Sequence, residues 1–375
     1  MTTFAGRWLT TFGPMELQET NDVIQGAYWY QGVANRIEGK LKKGRLVFLY
    51  QDAHGPGEGW FELTKGGQFQ GQYRLNGAEQ WFPWNGQREW NGIWDTSFGR
   101  MRLNHDGDRI HGCYDGATSG RVDGRTDGKR FVFKYVEANA KGEGWFELDD
   151  GAMNFRGAWR PEGTVKWGDW TGQRVVARPN LTWLVVIEAH WQRSLGDAEY
   201  SYGEMLRTFF ARVPTVAVRQ RYFNDGPSLE RWCRELIYVP EPAVVLISSH
   251  GTQAGVGVHH HTIEPKRVVD HLREASSVQL LHFATCLVLK EDKSGDFVKR
   301  IGTTAPFPIS GYTTSVDWGG SAILEFNYFD LMLSKHLSPE DAAKTMLKMI
   351  AWAGDKSPPG SPYGAAGFRF FKPIA

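Results

Sequence analysis

Ala243-Val-Val-Leu-Ile-Ser-Ser249-His250-Gly251 and Val278-Gln-Leu-Leu-His-Phe-Ala-Thr285-Cys286 are two apolar runs of strand length, each ending on a residue able to do chemistry. Between them, Pro265-Lys-Arg-Val-Val-Asp-His-Leu-Arg-Glu274 has the spacing of an amphipathic helix. A strand, a crossover helix and a second strand make a parallel pair, and both strands then stop at one edge of the sheet. An imidazole and a thiol meet there, a base beside a nucleophile.

The same alternation extends outward from this pair. Trp183-Leu-Val-Val-Ile-Glu188 and Thr215-Val-Ala-Val-Arg-Gln220 read as strands before it, and the helices Tyr202–Ala211 and Ser228–Ile237 follow them in turn. Phe307-Pro-Ile-Ser310 is a short strand after it, Ala322–Leu333 an apolar helix and Phe368-Arg-Phe-Phe371 an edge strand. Residues 180–375 are therefore expected to form an α/β domain with a mostly parallel sheet, helices on both faces, and chemistry at the carboxyl ends of the strands. Such sheets often bind nucleotides. Here neither His190-Trp-Gln-Arg-Ser-Leu-Gly196 nor Gly251-Thr-Gln-Ala-Gly-Val-Gly257 has the spacing of a phosphate cradle.

The first half repeats itself. Gly6-Arg-Trp8 recurs as Gly92-Ile-Trp94 and Trp84-Asn-Gly-Gln-Arg88 as Trp170-Thr-Gly-Gln-Arg174, both shifted by 86; Gly57-Glu-Gly-Trp60-Phe-Glu-Leu63 recurs as Gly142-Glu-Gly-Trp145-Phe-Glu-Leu148, shifted by 85. Each copy alternates apolar and polar residues in short runs between Gly-, Asp- and Asn-rich turns, as in Arg130-Phe-Val-Phe-Lys-Tyr135. Two tandem antiparallel modules are expected, 1–88 and 89–177, each a small barrel or sandwich. Trp8, Trp60, Trp94, Trp145 and Trp170 recur at fixed repeat positions, which assigns them to the cores of these modules. The units are similar in composition to Gly- and Trp-rich β repeats found beside varied bacterial domains, a likeness that implies no chemistry.

Bulk properties narrow the partners. A length of 375 residues fits two or three domains. With 43 basic against 42 acidic residues and a formal charge of +1, a polyanion partner such as nucleic acid is not expected. No apolar run reaches the roughly 20 residues of a membrane span, and the start lacks the pattern of a signal peptide. Three cysteines, Cys113, Cys233 and Cys286, build no disulfide framework, so a cytoplasmic setting with free thiols is expected.

The His-Gly after one strand and the Cys after the next resemble the caspase-like cysteine peptidases, which include caspases, metacaspases and related bacterial domains. The resemblance covers about residues 180–375 and implies a caspase-like fold and thiol endopeptidase activity, with Cys286 as nucleophile and His250 as base. It further implies an oxyanion site made by the N–H groups of Gly251 and Cys286. The segment Gly311-Tyr-Thr-Thr-Ser-Val-Asp317-Trp318-Gly is similar to the part of those enzymes that shapes the pocket for the residue before the cut, which assigns Ser310, Asp317 and Trp318 to substrate binding. Cys286 stands in Ala-Thr-Cys-Leu rather than Gln-Ala-Cys-x-Gly, a departure that argues against transferring the Asp preference of caspases. An acidic Asp317 would instead select Arg or Lys; as an alternative it caps the following helix.

The expected function is thus a caspase-like cysteine endopeptidase acting after basic residues, with protein or peptide substrates and no cofactor. An activating protease or a regulatory protein is a further expected partner. Lys290, Lys293, Lys299 and Arg300, in and beside the polar stretch after the nucleophile, are expected cutting sites in a zymogen. His259 and His261 could share a metal only as two ligands of an incomplete set, and Glu291 with Asp292 reads as solvated loop, so no metal is expected. The β modules are assigned recognition or regulation. A catalytically silent scaffold on the same fold is the alternative.

Overall fold

The computed structural model describes residues 3–127, 129–192, 194–198, 200–258, 261–290, 297–301 and 304–374. The chain forms two compact units, Met1–Val176 and Ala177–Ala375.

In the first unit the strict period-two alternation of the sequence is realised as up-and-down barrels. Arg45–Asp52 buries Leu46, Phe48 and Tyr50 on alternate positions, and Arg130–Glu137 buries Phe131, Phe133 and Tyr135 in the same way. Eight antiparallel strands from Gly92–Thr96 to Gly168–Val175 close on themselves, because the first pairs with the last from Ile93↔Val175 to Thr96↔Gly172. The strands from Gly6–Thr10 to Gly86–Arg88 form a nine-stranded sheet that also closes, through the pairing of Gly55–Thr64 with Gln68–Leu75. Glycines opposite large rings make the interior fit: a Cβ on Gly59 would lie 2.4 Å from the Phe48 ring.

The repeated Trp…Arg motifs are buried plugs. The guanidinium of Arg88 lies 4.0 Å from the Trp8 ring and donates to the carbonyls of Ala5 and Thr3 at 2.7 and 2.6 Å. Arg174 lies 4.2 Å over Trp94 and donates to Ala152 O at 2.8 Å and to the carbonyls of Asn91 and Glu89. Two of the five tryptophans read as core fillers are placed differently. Trp60 and Trp145 fall on the outward parity of their strands, one position before the buried Phe61 and Phe146, and are covered by Arg45 and Arg130 at 4.5 and 4.7 Å. Trp84 and Trp90 are fully buried instead.

The second unit carries a six-stranded sheet in the order Val216–Phe223, Thr182–Ala189, Ala243–Ser248, Val278–Ala284, Ile309–Tyr312, Phe368–Phe371. The first five run parallel and the last antiparallel. The helix Trp318–Leu333, apolar on most of its surface, packs into the core with Leu184, Leu246, Leu280 and Tyr312.

The fold class expected from the sequence, ending in a caspase-like α/β part, is corrected by this architecture. Among the described residues the molecule is mostly β, with seventeen strands in the two antiparallel barrel sheets and further strands beyond them. Helices are few: the described residues hold six, of which Tyr202–Phe209 and Pro265–Leu272 have eight residues each and Phe297–Ile301 five. An antiparallel three-stranded sheet, Gly251–Thr252, Gly255–Val258 and His261–Ile263, also stands in the connection between Ser248 and the helix Pro265–Leu272, where the sequence suggested no strand pairing. The misreading has a simple cause. The all-β first half and the α/β second half were expected as separate parts, but the barrel strands, eight to ten residues long in many cases, supply far more of the hydrogen-bonded backbone than the few short helices of the second. Among the described residues no helix is long and apolar enough to cross a membrane.

Candidate active site

Register explains why His250 and Cys286 come together. In the parallel pair, Ser248 is opposite Ala284, so each functional residue stands two positions beyond a matched pair, at the same level past the sheet edge. Both line one pocket of about 510 Å³, with Trp191, Tyr200, Ser249, Thr285, Tyr312, Val316, Trp318 and Ser321 among its other walls.

Gly251 brings the two connections into direct contact. A Cβ built there would lie 2.2 Å from Cys286 O, 2.8 Å from Cys286 N and 2.9 Å from Thr285 Cβ, so only glycine lets this backbone lie against that of the cysteine. Gly257 N donates to His250 O at 2.7 Å, which makes His250 and Gly257 a hydrogen-bonded pair of the small antiparallel sheet. Gly251, paired with Val256, is then at a non-hydrogen-bonded position, and the alternation of the ladder turns its N–H away from that partner strand. Ser249 fastens the same corner, its hydroxyl donating to the carbonyls of Gly257 and His250.

The thiol of Cys286 sits 3.5 Å from both the carbonyl oxygen and the amide nitrogen of Val316, which ties the cysteine to the segment leading into the helix Trp318–Leu333. The next residue, Leu287, has φ of 64°, a left-handed conformation that is unfavourable for a side chain of this size. It is held by Leu287 N donating to Thr314 O and Leu289 N donating to Tyr312 O, both at 3.1 Å. Backbone strain directly beside a reactive side chain is common at functional sites. The other cysteines contrast with Cys286: Cys233 is fully buried, which pushes its thiol well above the usual range, and Cys113 lies on a barrel strand.

Sequence reasoning missed the group that holds the imidazole's neighbour. Glu188, at the end of its apolar strand and completely buried, accepts from Trp191 Nε1 at 2.7 Å, Ser201 Oγ at 2.8 Å, Tyr202 N at 2.7 Å, Gly203 N at 3.2 Å and Gln220 Nε2 at 2.8 Å. It thereby fixes Trp191, whose ring stands edge-on to His250 at 4.9 Å and 77°. The signal was an acidic residue closing a strand otherwise apolar throughout, at the edge where parallel sheets place their ligands. Trp191 and Tyr200 continue into Trp318 as an aromatic rim: Trp191 and Tyr200 stack at 6.2 Å, and Tyr200 meets Trp318 edge-on at 5.9 Å.

The residues assigned to substrate binding divide. Trp318 is at the pocket. Asp317 is exposed and caps the helix Trp318–Leu333, its Oδ1 accepting from Gly320 N at 2.9 Å. Ser310 is corrected. It is fully buried in the sheet, 2.8 Å from His282 Nδ1, within a cluster in which Tyr312 donates to Glu325 Oε1 at 3.0 Å and His282 Nε2 lies 3.3 Å from the same oxygen. Tyr312, two residues on and on the same strand face, reaches the pocket, while Ser310 lies one step deeper, inside the core.

Among the described residues no group of three or more His, Cys, Asp or Glu is placed to hold a metal. His259 and the stretch Glu291–Asp296, with Asp292 and Lys293, lie outside the described residues, as does the side chain of Lys299. Arg300 donates to Lys290 O at 2.9 Å and to Gln253 O at 2.6 Å, joining the two loops that follow the functional strands.

Comparison of the sequence with protein-family models and with curated proteins finds no match. Among solved structures, part of the chain is similar to HpuA from Kingella denitrificans in complex with human haemoglobin, with 9% identity and a TM-score of 0.18 over 47% of this chain and 89% of that one. It is also similar to a double mutant of the vaccine antigen Transferrin Binding Protein B from Haemophilus parasuis Hp5, with 13% identity and a TM-score of 0.17 over 45% of this chain and 44% of that one.

Proposed function

We propose that the protein is a cysteine endopeptidase of caspase-like chemistry, with Cys286 as nucleophile and His250 as base. The observation that carries this reading is the pocket shared by His250 and Cys286, together with Gly251 lying against the backbone of Cys286 with no room for a side chain. His250 takes the thiol proton, and the Cys286 sulfur attacks the carbonyl carbon of a bound peptide. The negative charge that develops on the carbonyl oxygen is met by the N–H groups of Gly251 and Cys286. His250 returns the proton to the leaving amine, and water then hydrolyses the thioester.

Substrates with Arg or Lys before the cut are the proposed class. Asp317 is exposed and stands in sequence between the pocket residues Val316 and Trp318; its carboxylate, with the rings of Trp318, Tyr200 and Trp191, would receive a cation by charge and by π attraction. The proposed setting is the reducing cytoplasm, where Cys286 stays a thiol. The test compares wild type with Cys286→Ala and His250→Ala on fluorogenic peptides ending in Arg, Lys or Asp. Turnover of the basic peptides that disappears in both variants is expected. Turnover that persists in Cys286→Ala, or a wild type inert on every peptide after limited proteolysis, would exclude the dyad and leave the scaffold reading.

A further inference from the structure

The first barrel holds a second cavity, unrelated to the thiol. It has a volume of about 200 Å³ and its floor is the buried indole of Trp84. Phe12, Tyr28, Tyr50 and Tyr73 stand around that floor with their planes at 83°, 72°, 86° and 83° to it, at centroid distances of 5.0, 4.8, 6.0 and 5.7 Å. These four rings and Trp84 all line the cavity; Phe48 and Phe61, which do not line it, also stand near-perpendicular to Trp84, at 89° and 84°.

One carboxylate lines this box, and His54 lines it as well. Asp52 lines it and accepts from Tyr28 Oη at 3.2 Å and from His54 N at 2.8 Å, both neutral donors. Burial pushes the Tyr50 phenol up to about 12, and burial with Asp52 pushes Tyr28 higher, so the walls remain uncharged while Asp52 supplies the negative field. Tyr50 is 4% exposed and its hydroxyl, fully shielded from solvent, has no hydrogen-bond partner among the described residues.

We propose that this cup binds a small methylated ammonium compound of the choline type. A cavity lined by aromatic rings and one carboxylate attracts a cation. A quaternary ammonium has no N–H to satisfy, so ring faces and one carboxylate suffice, and it sheds its water more readily than a primary ammonium. The second barrel serves as an internal control. It keeps Phe98, Tyr114, Tyr135 and Trp170 at the corresponding places, and Tyr114 donates to Glu137 at 2.7 Å as Tyr28 does to Asp52. Where the first barrel has Tyr73, packed on Phe12 at 5.1 Å and Tyr50 at 6.0 Å, it has Trp159, packed on the equivalent Phe98 and Tyr135 at 5.3 and 5.8 Å but with a larger ring system.

The experiment is a ligand-observed NMR titration of the full chain with choline and with 3,3-dimethylbutan-1-ol, its uncharged carbon isostere. Saturable choline binding is expected, with the isostere about tenfold weaker or worse. Tyr73→Trp, the residue the sister barrel already accommodates, should fill the box and remove choline binding with unchanged circular dichroism. Asp52→Asn should weaken it severalfold. An isostere that binds as tightly as choline, or choline binding that survives Tyr73→Trp, overturns the proposal. A trimethyl-lysine peptide binding much more tightly than choline would overturn the small-molecule assignment.

Discussion

Replacing Gly251 by alanine probes the contact on which the proposed chemistry rests. Gly251 has no left-handed φ, so an alanine there is opposed by space alone. Its Cβ would lie 2.2 Å from Cys286 O and 2.8 Å from Cys286 N, and relief requires the two backbones to part by roughly 1 Å. Overpacking of this kind destabilises by about 1–3 kcal/mol. The functional loss should be larger in proportion. A donor displaced by about 1 Å from a developing oxyanion lowers turnover by about 100-fold, with little effect on ground-state binding. Urea unfolding of the intact chain and steady-state kinetics on an Arg-terminated fluorogenic peptide read the two effects separately. Lower stability by the stated amount and a fall in kcat at nearly constant KM are expected. A variant within about 0.5 kcal/mol of wild type and with unchanged kcat would refute both the close approach and the oxyanion role.

Other consequences are as direct. Asp317→Asn keeps a good helix cap but removes the charge, so stability should hold while kcat/KM for Arg peptides drops about tenfold or more; equal kcat/KM would end the basic preference. Glu188→Ala leaves buried donors from Trp191, Ser201, Tyr202, Gly203 and Gln220 without their acceptor and should destabilise by about 3–5 kcal/mol, read as a shifted urea midpoint; a loss below about 1 kcal/mol would contradict the network. In the second barrel, burial and then Arg88 push His105 down to about 4. As pH falls through the ordinary histidine value of about 6.5, the unfolded chain binds a proton that the folded barrel refuses, and the loss ends once pH passes below the folded value. Wild type should therefore lose about 3 kcal/mol more than His105→Asn between pH 7 and 4, and parallel stability curves would show that the histidine is not a neutral buried group.

Local patterns carried much of this. The shift of 85 to 86 residues was visible because packing inside a closed barrel demands the same large residues at the same places, as with Trp8 and Trp94 or Trp84 and Trp170. His250 and Cys286 were visible because each ends an apolar run, and the edge of a parallel sheet is where such ends collect. Their flanks were less legible. Glu188 became interpretable only when a tryptophan, a helix start and a neighbouring strand all turned out to donate to it. Ser310 was misassigned because the same strand face runs from the core into the pocket: Tyr312 reaches the wall, while Ser310, two residues earlier, stays beneath it on His282, and sequence does not show where along a strand the pocket begins.

Sequence alone determined the duplicated modules, the strand ends bearing a thiol and an imidazole, and the glycine between them, since these depend on residue type and near-neighbour spacing. Tertiary structure decided the mostly-β class, the outward parity of Trp60 and Trp145, the buried carboxylate behind Trp191 and the aromatic box on Trp84. The physical reason is common to all four. Register and ring closure join residues dozens of positions apart, and a shift of one residue in a strand exchanges its inner and outer faces, so the outcome depends on the partner strand as much as on the strand itself.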